Sequence, residues 1–265
     1  MDRVSAYLGN YTYLTQLKYG PKIFLDTREL SLTAHIIADG LWESWITEVF
    51  VASISPGMTV LDIGANCGYY SLLAAQLTGP SGRVHAFEPN PFHHENLIKS
   101  KLINGFNHLE IHPFALSDRN EEIILYAPAH LTASASMFEH LLKPLQHVDT
   151  IQPVRVPAVK LSDRLPGLKA DVIKMDIEGA EPLILDEVLD IMERSGESKL
   201  FMEYNQKAWQ MQGHDCEAIL NHITARNFEL YIIRHDQTLQ SVTPGSLVGM
   251  TSEATHFDLL ITKGN

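Results

Sequence analysis

Three groups of residues in this chain have the types and spacing to do chemistry. The first is Val60-Leu61-Asp62-Ile63-Gly64-Ala65-Asn66-Cys67-Gly68-Tyr69-Tyr70-Ser71, an apolar run that passes through a glycine turn into a helical pattern. Gly64 lets the backbone turn sharply and lets a ligand approach the main chain, while Gly68 lets the new helix pack closely on the strand. A connection that merely needs positive φ accounts for the same turn equally well. The second group is Ala86-Phe87-Glu88-Pro89-Asn90, which places one carboxylate at the tip of the next strand, beside that turn. A carboxylate there can accept two hydrogen bonds from a ribose diol, and charge-assisted bonds of this kind are the stronger class. The third is Asp176-x-Glu178-x-x-Glu181, with Glu203 ending the following strand.

NAD and S-adenosylmethionine both carry a ribose diol, so Glu88 alone does not separate them. The turn spacing is G-x-x-x-G, with Asn66 where a dinucleotide fold has its middle glycine, and this weakens the pyrophosphate reading. A methionine tail, with its ammonium and carboxylate, suits Asp62 and the loop amides instead.

For the acids of the third group, helix capping competes with catalysis. Pro182 marks a first helical turn, where carboxylates favour the orphan amides and the dipole, and this explains Glu181 and in part Glu178. Asp176, at a strand tip, is the better active-site candidate. The same acids with Glu203 also have the character of a hard-cation site, but a metal-free site is the expectation. The thirteen histidines make no HExxH-type pair. His112, on an expected strand, reads as a packed residue, and His214 as either a local cap or a substrate contact. Asp176, Glu203 and His214 are thus the candidate bases for a hydroxyl acceptor.

Positioning these groups requires a sheet covered on both faces. Apolar strands at Thr59 to Ile63, Arg83 to Phe87, Leu109 to Phe114, Asp171 to Met175 and Lys199 to Tyr204 alternate with helical patterns. The helices are expected at Tyr69 to Leu77, Pro91 to Asn104, Glu181 to Arg194 and Asp215 to Arg226. Phe228 to Ile233 and His256 to Thr262 then close the chain as an antiparallel pair without an intervening helix. Upstream, Tyr11 to Lys18 and Ile23 to Arg28 form a hairpin around Tyr19-Gly20-Pro21-Lys22, and Leu41 to Ile54 a helix whose Trp42, Trp45 and Phe50 stripe reads as core. Residues 1–57 are expected to be a cap and 58–265 the catalytic domain, the two forming one structural unit. Between Leu116 and Leu168 the alternation breaks into β-like runs at Glu121 to Tyr126 and Val154 to Leu161 around a Thr/Ala/Ser/Met stretch. This insertion sits where substrate loops usually lie.

Composition sets the outer bounds. A chain of 265 residues with 45% apolar and 20% charged residues can bury a full core. Its net charge of -12 argues against a surface that tracks phosphates, so no nucleic-acid partner is expected. Cys67 and Cys216 have no CxxC partner and read as free thiols. No stretch approaches the ~20 apolar residues of a membrane span, and the start of the chain lacks a basic segment followed by an apolar run, so a cytoplasmic protein without a membrane partner is expected.

Taken together, Trp42-Glu43, Asp62-Ile-Gly-Ala-Asn-Cys-Gly-Tyr-Tyr-Ser71, Phe87-Glu-Pro-Asn-Pro91, Ala115-Leu-Ser-Asp118 and Lys174-Met-Asp-Ile-Glu-Gly-Ala-Glu181 resemble the FkbM family of S-adenosylmethionine-dependent methyltransferases, over roughly Trp42 to Thr262. The resemblance implies an α/β fold: a class I methyltransferase Rossmann-like three-layer sandwich, its mostly parallel seven-stranded sheet carrying an antiparallel edge strand. It implies S-adenosylmethionine across the ends of the first three strands. By position, Gly64, Ala65, Asn66 and Gly68 lie under the methionine part with Asp62 and Tyr69 beside them. Glu88 and Pro89 take the ribose, the Phe114-Ala115 turn flanks the adenine, and Asp176 borders the methyl and the acceptor. The implied reaction is O-methylation of a hydroxyl or carboxylate on a small molecule, sugar or peptide natural product, a carboxylate acceptor requiring no base. The competing readings are an NAD-dependent oxidoreductase and a non-catalytic nucleotide-binding module. The oligomeric state stays open, a homodimer included.

Overall fold

The structure, a computed structural model, describes residues 3–250 and 256–264. It opens with a three-stranded antiparallel sheet, β1 (Ser5–Gly9), β2 (Thr12–Gln16) and β3 (Lys22–Asp26). The β2–β3 turn is closed by Leu17 N donating to Pro21 O at 2.8 Å. Alternation along β3 buries Ile23 and Leu25 and leaves the intervening residues half-buried. Two helices follow, α1 (Thr33–Asp39) and α2 (Ser44–Ala52). The second is shorter than the apolar stripe suggests because Glu43, at φ 43°, turns the chain immediately before it.

β4 (Thr59–Ile63), α3 (Tyr69–Thr78), β5 (Arg83–Phe87), α4 (Pro91–Asn104) and β6 (Leu109–His112) form the first half of the main sheet layer. β4 and β5 are buried on both faces beyond their first residues, which is why they read as continuous apolar runs rather than alternating ones. The insertion folds into a second small sheet, β7 (Ala115–Leu116), β8 (Glu121–Pro128) and β9 (Ile151–Val159), in the order β7-β9-β8. Short 3₁₀ turns at Thr132–Ser134 and Glu139–His147 connect β8 to β9. The run expected to continue to Leu161 stops at Val159, and Leu161–Arg164 is a helical turn, α5.

The second half comprises β10 (Val172–Met175), α6 (Glu181–Ser195), β11 (Lys199–Tyr204), α7 (Gln206–Met211), α8 (Cys216–Ala225), β12 (Phe228–Ile233), β13 (Leu239–Val242), α9 (Pro244–Met250) and β14 (Phe257–Lys263). The main sheet has eight strands in the order β13-β12-β14-β11-β10-β4-β5-β6. Around β4 the pairing is parallel, and β14 runs antiparallel to both β11 and β12. The α/β class is as expected, with two corrections. The closing strands β12 and β14 do pair antiparallel, but β13 and α9 intervene between them in the chain, and β14 lies inside the sheet while β13 is the antiparallel edge strand that raises the count to eight. Both added elements escape sequence pattern because β13 is only four residues long, two of them polar, and α9 carries Gly245 and Gly249.

The N-terminal sheet shares a core with this layer. Leu17, Ile23 and Leu25 belong to the same buried apolar cluster as Val60, Leu73, Val84 and Phe201. Cys67 and Cys216 are buried free thiols. No helix among the described residues is long and apolar enough to cross a membrane.

Candidate active site

The C-terminal ends of β4, β5 and β10 meet the insertion sheet at one cleft. It is lined on one side by Gly64, Asn66, Glu88 and Pro89, on another by Phe114, Ala115 and Leu116, and at its end by Asp176 and Glu178.

The glycine turn is shaped by its neighbours as much as by a ligand. Gly64 has φ +85°, and a Cβ there would lie 1.9 Å from the Asp176 carbonyl oxygen; a Cβ on Gly68 would lie 2.1 Å from Leu97 of α4. So Gly64 lets the β4 and β10 tips approach, and Gly68 makes room for α4 more than for its own strand. The amides of Gly64 and Ala65 both donate to Phe87 O, at 3.0 and 2.9 Å. Asn66 occupies the left-handed region at φ 52°, which asparagine tolerates because its side chain bonds locally; its Oδ1 accepts from Cys67 N at 2.6 Å.

Glu88 is 6% exposed and closes this loop. Its Oε2 accepts from Asn66 N and its Oε1 from Asn90 N, each at 2.7 Å. Burial pushes its carboxyl up to about 7, against the two amide bonds that favour the ionised form. Each oxygen keeps a lone pair, so the acid can brace the loop and still accept from a diol.

At the far end, Asp176, Glu178 and Glu203 bring carboxylate oxygens within 4.8 Å of one another. Lys174, buried on β10, donates to Asp176 Oδ2 at 2.8 Å. Burial alone would raise Asp176, but the ammonium overrides it and holds the carboxyl below its ordinary value. Glu178 and Glu203 go the other way, raised first by burial and then by the charge of Asp176. The segment that carries Asp176 is fixed by Glu181, whose Oε1 accepts from Ile177 N and Gly179 N while Oε2 accepts from Trp209 Nε1. The capping role assigned to Glu181 therefore extends backward onto the Asp176 to Ala180 segment.

Of the residues singled out in the sequence, Gly64, Asn66, Glu88, Pro89, Phe114, Ala115 and Asp176 line the cleft, and Glu203 joins Asp176. Four cofactor candidates do not line it. Asp62 is buried and accepts from Ser71 Oγ, Ala65 and Gly68 face the interior, and Tyr69 bonds Thr47 Oγ1 at 3.1 Å within the α2–α3 packing. Asp62 is drawn away by the helix that follows: its carboxylate accepts from Ser71 of α3, while Ile63 and Gly64 beyond it reach the cleft. His214 sits in the α7–α8 turn, its amide bonded to Trp209 O, outside the cleft lining.

The sequence pattern of the methyltransferase FkbM domain matches residues 62–230. The chain belongs to the FkbM methyltransferase family. Among curated proteins it is similar to the protein-L-isoaspartate O-methyltransferase of Aeropyrum pernix, 35% identical over 94 residues that make up 34% of this chain and 34% of that one. A protein of the same name from Methanothermobacter thermautotrophicus is 27% identical over 97 residues, 36% of this chain and 45% of the relative. The chain thus spans between a third and a half of the length of these curated relatives. Among solved structures, the methyltransferase FkbM of Methylobacillus flagellatus superposes with a TM-score of 0.49 at 15% identity, over 79% of this chain and 44% of that one.

The cofactor of this methyltransferase family is S-adenosylmethionine, and the cleft of this FkbM domain has the donors and walls to hold it. Ile123 and Leu125 of the insertion join Phe114 and Leu116 in an apolar wall suited to a purine. At the same wall, His93 Nε2 and Thr132 Oγ1 are buried without a hydrogen-bond partner among the described residues. Orphaned polar atoms are costly, and a ligand rich in ring nitrogens and hydroxyls satisfies them. Three more residues of this FkbM domain's site went unassigned in the sequence. Lys174 lies inside a recognised motif, Glu43 follows Trp42 in another, and His93 lies two residues beyond the Phe87 to Pro91 motif. Tyr70 OH donates to Glu43 Oε2 at 2.9 Å, and burial raises that carboxyl to about 7 although Lys174 opposes the rise.

Proposed function

We propose that this chain is an S-adenosylmethionine-dependent O-methyltransferase acting on a hydroxyl of a small molecule, sugar or peptide. The observation that carries the reading is the carboxylate set Asp176, Glu178 and Glu203 at the end of the cofactor cleft, with one ammonium, Lys174, among them. A site so rich in acids can take a hydroxyl proton, and it repels a carboxylate acceptor. The net charge of -12 supports a small or peptide acceptor over a polyanionic nucleic acid.

When bound, S-adenosylmethionine supplies a methyl group already activated on a sulfonium. The chain has to hold it, align an oxygen nucleophile opposite the sulfur and exclude water. Glu88 accepts from the ribose hydroxyls, with the braced Asn66 loop setting its geometry. Phe114 and Leu116 enclose the base. Asp176, kept ionised by Lys174, orients the acceptor hydroxyl. Glu203 accepts the proton; its raised pKa makes its ionised form a stronger base than an ordinary carboxylate. Glu203 Oε1 lies 3.6 Å from Nδ1 of the exposed His256, which gives the proton an exit toward solvent. A groove between the 139–147 turn and α7, lined by Ser136, His140, Glu178, Asn205 and Gln206, reaches the acid cluster at Glu178 and is the acceptor's entry.

Transfer of isotope-labelled methyl from S-adenosylmethionine to pools of hydroxyl-bearing acceptors tests the proposal. The expected product keeps its label in alkali, as a methyl ether does. Label released by alkali points to a methyl ester, and label entering only added RNA to a nucleic-acid acceptor; either result rejects the reading. Glu203→Gln is expected to lower kcat about 10²-fold with S-adenosylhomocysteine affinity unchanged.

A further inference from the structure

Behind the cofactor cleft, on the outer strands of the sheet, three donor atoms converge. β5 and β6 pair in parallel, with His85 opposite Glu110 and Phe87 opposite His112. The two-residue period puts His85, Glu110 and His112 on one face. His85 Nδ1 lies 3.2 Å from His112 Nε2 and 3.5 Å from Glu110 Oε2, and His112 Nε2 lies 4.0 Å from the same oxygen. In tetrahedral zinc sites with bonds of about 2.0–2.1 Å, neighbouring donors are about 3.3 Å apart. Two of the three separations already match such an edge, and the third closes with a small movement of the half-exposed Glu110.

We propose that His85, Glu110 and His112 form a binding site for a zinc-class divalent cation, separate from the methyl-transfer centre and independent of the function proposed for it. Two imidazoles and one carboxylate are the donor set that selects zinc over magnesium or calcium. The imidazoles are 5% and 3% exposed, so both nitrogen donors lie inside the protein rather than on its surface. The exposed side of Glu110 leaves room for water as a fourth ligand.

Without an ion the cluster is held by a shared hydrogen bond between the rings and by Arg164 Nε donating to His112 Nδ1 at 3.3 Å. Binding therefore has a definite requirement. His112 must free its Nε2 lone pair, so Nδ1 carries the proton and Arg164 must swing away. Arg164 is exposed at the end of α5, and its movement gives up one long hydrogen bond and a cation–π contact with the Phe114 ring at 5.3 Å. Arg164 and Arg83 are the cations facing the site and Glu110 is its anion. The ring of His112 stacks on Phe87 at 4.4 Å, and Phe87 lines the cofactor cleft, so an ion here ties the edge strand to the cofactor wall.

The test uses the full chain without a histidine tag, stripped with chelator and titrated with zinc by calorimetry, with cobalt(II) as a spectroscopic stand-in. One ion per chain and tetrahedral cobalt bands are expected. Glu110→Gln, at a half-exposed position that leaves the fold intact, is expected to weaken zinc at least tenfold. Arg164→Gln, whose amide oxygen can accept from Nδ1–H and which removes a cation, is expected to tighten it. Absence of stoichiometric uptake overturns the proposal. So does uptake that survives Glu110→Gln but is lost in Glu203→Gln, which assigns the ion to the catalytic carboxylates.

Discussion

The Asn66 amide donates to Glu88 Oε2 at 2.7 Å, so the acid expected to hold a ribose also holds the loop expected to lie under the rest of the cofactor. Removing the carboxylate then has two effects at once. Glu88→Ala is expected to weaken S-adenosylhomocysteine at least 100-fold in calorimetry, more than the loss of the diol contacts alone, because the loop amides lose their acceptor. A weakening of threefold or less would show that Glu88 does neither job.

The raised carboxyl of Glu88 makes cofactor binding pH-dependent. Burial pushes it from 4.5 to about 7, and only the ionised form accepts from both hydroxyls of a diol. Affinity is therefore expected to fall about tenfold per pH unit below 7 and to level off above it. Calorimetry from pH 5.5 to 8.5 reads this directly, and a flat profile contradicts it.

The same shift has the opposite sign for folding. Between 4.5 and about 7 the folded protein keeps protons on Glu43 and Glu88 that the unfolded chain has lost, so both groups subtract stability as pH rises through that window. Glu43→Gln keeps an oxygen for the Tyr70 hydroxyl and cannot ionise. The melting temperature of the cofactor-free variant, relative to the parent, is expected to climb between pH 5 and pH 7.5. A constant difference across that range would mean that Glu43 does not titrate there.

Lys174 and Asp176 form an ion pair at the acidic end of the cleft. Lys174→Met leaves a partly buried carboxylate without its ammonium. The expected cost is about 2–3 kcal/mol, below that of a fully buried pair because Asp176 is a third exposed. Asp176 should also titrate higher, moving the acid limb of the kcat profile upward in pH. A variant that loses stability but keeps its pH profile would make Lys174 structural only.

Much of the scaffold was legible because its signals are local. β4, β5 and β11 begin and end where their apolar runs do, α4 spans Pro91 to Asn104 between an Asn cap and a glycine, and Asn66 replaces a glycine where asparagine is tolerated. The side-chain placements that the sequence did not show were decided by distant parts of the chain. Asp62 belongs to a recognised motif, but its carboxylate accepts from Ser71 of α3, and Tyr69 is claimed by Thr47 of α2. Glu43 reaches the site only because α2 packs over α3. His85 and Glu110 become neighbours through the β5–β6 register, which no spacing in the sequence reveals.

Gly64 is where a local rule and a distant contact coincide, and its substitution separates them. Alanine there meets two penalties: φ +85°, costing about 1–2 kcal/mol in the left-handed region, and a Cβ 1.9 Å from the Asp176 carbonyl oxygen, which only backbone movement relieves. Gly105 provides the control, since it has φ +68° and nothing within 4 Å of its missing Cβ. Gly105→Ala is expected to lose only the conformational part and to keep full cofactor affinity. Gly64→Ala should lose more stability in denaturant unfolding and, because the β10 tip is pushed away, should also lose S-adenosylhomocysteine binding. Equal losses for the two variants would mean that the β4–β10 approach carries no weight in forming the site.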